Sequence, residues 1–202
     1  MIALIDYKAG NLTSVRKALA AVEARVFTPA APDEIRTAAA VIVPGVGHFA
    51  ATRALDAPWV RAIRASVDNG TPLLGICLGM QWLYEGSDEA PDCPGLGLLA
   101  GRCYRLSAGA PTARLKVPHV GWNSLAQRRS AAIVTGVPDG AQVYFTHSYV
   151  APITADTVAS TEHGDAFASV VERGRVAGVQ FHPEKSSEIG LRILRNFLAL
   201  TA

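Results

Sequence analysis

The segment Pro72-Leu73-Leu74-Gly75-Ile76-Cys77-Leu78-Gly79-Met80-Gln81 decides how this chain folds. Its apolar start reads as a strand buried on both faces, the kind that pairs in parallel beneath covering helices. Gly75 and Gly79 let the chain turn sharply and allow neighbouring backbone to pack close, and a helix is expected from Leu78 onward. Such a turn projects Cys77 from the C-terminal end of the strand, the setting of a nucleophile elbow with Cys in place of Ser. The first amides of the helix face the same point, and their partial positive charge favours the attacking thiolate. A small buried cysteine in a structural turn fits the same residues, so a base has to come from elsewhere in the chain.

On either side of this segment the strand and helix signals alternate. Residues 1–6 read as a buried strand, and Asn11 then caps a helix in which Leu12, Val15, Leu19 and Val22 recur at helical spacing. Residues 40–43 and 71–77 repeat the strand signal, each ending at Pro or Gly, so ligands are expected at these C-terminal strand ends. The second half differs. Residues 98–106, 115–125, 142–150 and 167–180 read as strands with little helix between them, which favours antiparallel pairing, with a hairpin turn at Glu172-Arg173-Gly174-Arg175. A final helix over 186–200 places Ile189, Ile193, Phe197 and Leu200 on one side, for docking on the sheet. The fold class expected is α/β: an open, mostly parallel sheet flanked by helices, with an antiparallel portion in the second half. No linker divides residues 1–202, which are expected to form one domain.

Composition narrows the function classes. Of 202 residues, 50% are hydrophobic and 18% charged, and the net charge is +2, a balance suited to a large core and unlike that of a disordered chain. Basic residues are scattered, so no stripe points to a nucleic-acid backbone. The apolar runs fall far short of the roughly 20 residues a membrane-spanning helix needs, and the first residues lack the pattern of a signal peptide. A cytoplasmic location without membrane attachment is the expectation. Cys77, Cys93 and Cys103 show no CxxC spacing, so no metal site and no disulfide framework is expected.

A base for Cys77 is offered by Val179-Gln180-Phe181-His182-Pro183-Glu184. His182 and Glu184 are two residues apart, and in an extended stretch such residues point the same way. A carboxylate on one ring nitrogen fixes the tautomer and frees the other nitrogen to exchange protons with a thiol and a leaving amine. Val43-Pro44-Gly45-Val46-Gly47 is a strand end whose glycines let backbone amides approach a ligand. An amide of Val46 or Gly47, with that of Leu78, would give two donors for an oxyanion. Each motif alone has a structural explanation: two polar residues at a strand end, or a tight turn.

Taken together and in this order, Pro-Gly-Val-Gly, Gly-Ile-Cys-Leu-Gly-Met-Gln and Gln-Phe-His-Pro-Glu resemble the class I, triad-type glutamine amidotransferases, which have a flavodoxin-like sheet. Asp6-Tyr7-Lys8-Ala9-Gly10-Asn11-Leu12, Val117-Pro118-His119-Val120-Gly121-Trp122-Asn123, Tyr144-Phe145-Thr146-His147-Ser148-Tyr149 and Lys185-Ser186 narrow the resemblance to the branch serving histidine biosynthesis. It covers essentially the whole chain. The resemblance implies a catalytic triad of Cys77, His182 and Glu184, an oxyanion hole from Val46 and Leu78, and glutamine contacts from Gly47, Gln81, His147 and Ser148. It further implies a heterodimer in which ammonia passes through a channel to a (β/α)8-barrel cyclase. That partner makes imidazole glycerol phosphate and an aminoimidazole carboxamide ribonucleotide, without metal or organic cofactor. Asn11, Trp122, Tyr144 and Lys185 are the implied partner-facing residues. Two positions depart from the family pattern: Lys8, where Gly is common, and His48, where a small or acidic residue is usual. A glutaminase feeding another acceptor and a binding module that lost its chemistry are the alternatives.

Overall fold

The computed structural model describes residues 1–107 and 115–201. Strands β1 (Ile2–Leu4), β2 (Val26–Phe27), β3 (Ala40–Gly45) and β4 (Leu73–Cys77) alternate with helices α1 (Leu12–Ala21) and α2 (Ala57–Asp68). Helix α3 (Leu78–Trp82) follows β4 without a gap. The later strands are β5 (Gly86–Ser87), β6 (Arg102–Arg105), β7 (His119–Ser124), β8 (Ala126–Gln127), β9 (Gln142–His147), β10 (Tyr149–Val150), β11 (Thr157–His163), β12 (Asp165–Arg173) and β13 (Val176–Val179), before helix α4 (Ser187–Ala199).

The central sheet runs β2-β1-β3-β4-β13-β12-β11-β8. Its first five strands are parallel, and from β12 onward the pairing is antiparallel, so the expected division between the halves holds. Because β4 is covered on both faces, successive residues serve opposite cores. Leu74 and Ile76 join the layer containing Leu19, Ile193 and Phe197, while Leu73 joins Ile63, Phe49 and Trp82. In α4 the buried Ile193, Leu194 and Phe197 each stabilise docking by roughly 2 kcal/mol. Asn11 caps α1 by accepting from the Ser14 amide at 3.3 Å.

Several expected elements are changed. Residues 98–101 are not strand: Gly97 and Gly101 take positive φ, which bends the chain until β6. The run over 142–150 divides at Ser148, whose carbonyl accepts from Leu106 as the chain passes from the β7–β9 ribbon to β10. Strand β11 is additional. The helix after Cys77 is short, five residues, because Leu83 and the segment behind it fold back through Leu96, Leu98 and Leu99 amide contacts. No helix among the described residues is long and apolar enough to cross a membrane.

Candidate active site

Cys77 stands at the end of β4 with φ 54 and ψ −110, a conformation costly for a residue with a side chain. The surrounding packing imposes it. A Cβ on Gly79 would lie 1.8 Å from the Val43 carbonyl oxygen, and one on Gly75 would lie 2.6 Å from the Gly79 oxygen. Strand β3, the elbow and α3 therefore touch backbone to backbone, and the turn is held at the apex where the thiol emerges.

The neighbouring parallel strand supplies the imidazole. Val179 of β13 pairs with Ile76 of β4, so His182 arrives beside Cys77. His182 Nδ1 and Glu184 Oε1 are 2.8 Å apart with both side chains buried. The contact differs from the extended arrangement expected, because Pro183–Lys185 form a single 3-10 turn that swings Glu184 back beneath the ring. Burial by itself lowers the His182 pKa, but Cys77 and Glu184, through hydrogen bonding and charge, raise it well above the ordinary value. Both partners thus favour the imidazolium form of the ring. The thiol and Nε2 are close enough to perturb one another, yet Nε2 has no partner that meets hydrogen-bond geometry, so the proton-transfer contact is near and not closed.

A cavity of about 280 Å³ opens beside the thiol, lined by Cys77, Leu78, Gly47, Gln81, His147 and Ser148 among others. All four residues expected to surround glutamine are therefore gathered on one cavity with the cysteine. His147 faces its cross-strand partner His119 across the β7–β9 pair, with His147 Nε2 and His119 Nδ1 3.2 Å apart. Burial, then His119, lowers the His147 pKa to about 3, and burial, then His163, lowers that of His119 to about 4. Both rings are neutral at physiological pH.

Val46, expected to help hold an oxyanion, is engaged elsewhere in this structure. Its amide donates to the Ala9 carbonyl at 3.0 Å, which turns this donor away from an oxyanion. Leu78 opens α3, where an amide has no carbonyl one turn behind it. Gly47, at φ 99, gives the loop a joint that an ordinary residue would resist.

Among the expected partner-facing residues, Trp122 is 53% exposed and meets Tyr144 edge-on at 6.1 Å, with Lys185 Nζ 5.6 Å above the Tyr144 ring. Asn11 lies apart from that group, in a small cleft with Val46, His182 and Glu184. Lys8 occupies φ 64, the region glycine favours, and its ammonium pairs with Asp6 at 2.9 Å. His48 Nδ1 accepts from the Ala50 amide at 3.1 Å, so the ring caps the turn after the glycine loop. Sequence reasoning missed Gln180, Thr146, Tyr149 and Glu89. Gln180 was signalled by a polar residue two before His182 in an otherwise apolar strand end, on the same side as the imidazole.

Residues 3–200 match the model of the class-I glutamine amidotransferases. The chain is 47% identical over 200 residues to "Imidazole glycerol phosphate synthase subunit HisH" of Moorella thermoacetica, covering 97% of this chain and 93% of that one. It is 45% identical over 202 residues to the protein of the same name from Methanosarcina acetivorans, covering 98% of each. A crystal structure of a glutamine amidotransferase superposes with TM-score 0.76 at 20% identity, covering 99% of this chain and 98% of the other. The structure of PurLQS from Thermotoga maritima gives 0.72 at 18%, covering 98% and 97%. The strand-end cysteine and histidine, the shared fold and these full-length identities lead to one conclusion: the chain belongs to the class-I glutamine amidotransferases, in the branch of the HisH subunits of imidazole glycerol phosphate synthase.

Proposed function

We propose that this chain hydrolyses L-glutamine to L-glutamate and ammonia, as the glutaminase subunit of imidazole glycerol phosphate synthase in histidine biosynthesis. The observation that carries the reading is His182 held between Glu184 and Cys77 at the ends of adjacent parallel strands, with Cys77 lining a cavity sized for an amino acid. The Cys77 thiolate attacks the side-chain amide carbon. The oxygen gains negative charge, and His182 gives a proton to the departing ammonia. Water then adds to the thioester carbonyl and passes a proton to His182, the C–S bond breaks with its electron pair on sulfur, and glutamate leaves. Glu184 keeps the ring oriented through both steps.

Leu78 and Val46 are the oxyanion donors in this scheme. The Val46 peptide has to leave the Ala9 carbonyl and rotate before its N–H faces the substrate, so the resting loop opposes turnover. The partner is a (β/α)8-barrel cyclase, docked over Trp122, Tyr144 and Lys185, with Asn11 at the edge of the contact. Ligand bound to the cyclase favours the rotated loop, and ammonia crosses to that subunit without release to water.

Glutaminase assays on the chain alone, with the cyclase, and with the cyclase and its nucleotide ligand test the coupling; equal rates in all three would refute it. Cys77→Ala in the complex should abolish glutamine-dependent synthesis while ammonium-dependent synthesis continues. Retained glutaminase activity in that variant would overturn the assignment of the nucleophile.

A further inference from the structure

The side-chain amide of Gln180 is wholly buried, between Cys77 and Gln81. Burying an amide costs a few kcal/mol unless its atoms are partnered, and the flanking Val179 and Phe181 are apolar. A position needed only for packing would carry an apolar residue too. The partners here define which way the amide points. Gln81 has one side-chain end 2.8 Å from the Tyr149 carbonyl; a carbonyl only accepts, so that end is the NH2 group. The same nitrogen donates to Gln180 at 3.0 Å, which makes the Gln180 atom facing it the carbonyl oxygen. The remaining end of Gln180, its NH2 group, lies 3.7 Å from Cys77 Sγ. Reversing Gln180 would set two NH2 groups against each other and an oxygen against the sulfur lone pairs, so the orientation is locked from Tyr149 inward.

We propose that Gln180 is a catalytic residue whose Nε2 donates a hydrogen bond to the Cys77 sulfur, with Gln81 fixing the direction of that bond. The inference rests on Cys77 being the nucleophile. The bond strengthens when sulfur carries negative charge, which happens twice in the cycle: before attack, and when the thioester opens and the C–S electron pair returns to sulfur. A thiolate held by one more donor is more populated but slightly less nucleophilic, so the larger benefit falls on thioester hydrolysis. There sulfur leaves, and the Gln180 N–H receives the charge as water's proton passes to His182. Gln81 acquires a second role, as the residue that prevents the Gln180 amide from turning over.

The test uses the chain in complex with its cyclase subunit. Alkylation of Cys77 by iodoacetamide, mapped by mass spectrometry with Cys77→Ala as the blank, is measured for wild type, Gln180→Met, which conserves volume, and Gln180→Glu, which conserves shape and replaces the donor by an anion. At pH 7 the Met variant should react about 3-fold to 10-fold more slowly and the Glu variant more slowly still. At alkaline pH, where a thiol ionises unaided, the Met variant and wild type should converge. The groups facing Cys77 (His182, Glu184 through it, the Tyr7 hydroxyl and Glu89 across the cavity) are the same in each variant, so they do not produce the difference. The second readout is acid-quenched turnover: Gln180→Met should accumulate glutamyl-thioester on Cys77, seen as added intact mass, which loosened packing alone would not produce. If Gln180→Met does not fold, Gln81→Met replaces it in the alkylation assay and should give the same slowing in weaker form. Alkylation at the wild-type rate without thioester accumulation overturns the role of Gln180. Glutaminase activity in Cys77→Ala overturns the nucleophile instead, so the two failures are distinguishable.

Discussion

Acidification from pH 7.5 to pH 5.5 acts with opposite sign on the histidines of this site. His119 and His147 are held neutral, with pKa values of about 4 and about 3, chiefly by burial. In the unfolded chain each takes up a proton near 6.5. Over this interval the unfolded state therefore binds more protons, and stability falls with pH by about 1 kcal/mol for each ring. His182 is the reverse. Its folded pKa is raised, so its contribution is complete below the unfolded value and is lost as pH rises through the folded one. It gains stability on the same acidification and so opposes these losses. Replacing His119 by Gln removes one loss while leaving a polar group for His147. Urea unfolding followed by tryptophan fluorescence, at both pH values and fixed ionic strength, gives the stability lost by each protein. Wild type should lose about 1 kcal/mol more than His119→Gln. The comparison is between pH responses, so the baseline cost of the substitution drops out. A difference below about 0.5 kcal/mol would refute the claim that the fold keeps His119 uncharged.

Other substitutions test the packing of the elbow. Cys77→Gly should be about 1 kcal/mol more stable than Cys77→Ala by chemical denaturation, because glycine accepts the conformation at φ 54 and alanine does not; a more stable alanine variant would contradict the strain. Gly79→Ala should destabilise by about 3 kcal/mol or prevent folding, since the added methyl lies 1.8 Å from the Val43 oxygen, and a near-normal denaturation midpoint would show that the elbow can relax. Ser186→Ala removes an acceptor for the Tyr144 amide at 2.9 Å and a donor to the His182 carbonyl at 2.6 Å. Because Ser186 is fully buried, the expected loss is about 2 kcal/mol, and an unchanged unfolding curve would deny the hydrogen bonds that role.

The parallel half was legible because its strands are continuous apolar runs with glycine or proline at their ends, and burial on both faces requires that composition. Strand β11 was not, because Thr157, Ser160 and Thr161 are buried without being apolar. Thr161 donates to the Ser124 carbonyl and accepts from Ser169, a solution visible only once three strands are side by side. In the site, Cys77, His182 and Glu184 carry their chemistry in residue type and local spacing. The direction of the Val46 amide was not legible because it depends on Ala9, a backbone partner that no side-chain pattern reveals. The His119–His147 contact depends in turn on the register of β7 against β9, a long-range pairing that neither histidine announces.

The adjacency of β4 and β13 also sets when the chemistry becomes possible. The thiol and the amide that faces it are 103 residues apart, and they meet only when β13 inserts between β4 and β12. During synthesis, a chain that has passed Cys77 but not β13 still lacks His182. Local collapse of the first strands and helices, which forms early because its contacts are short in sequence, yields no hydrolase. Pairing of β13 with β4 is the step that brings His182 to Cys77.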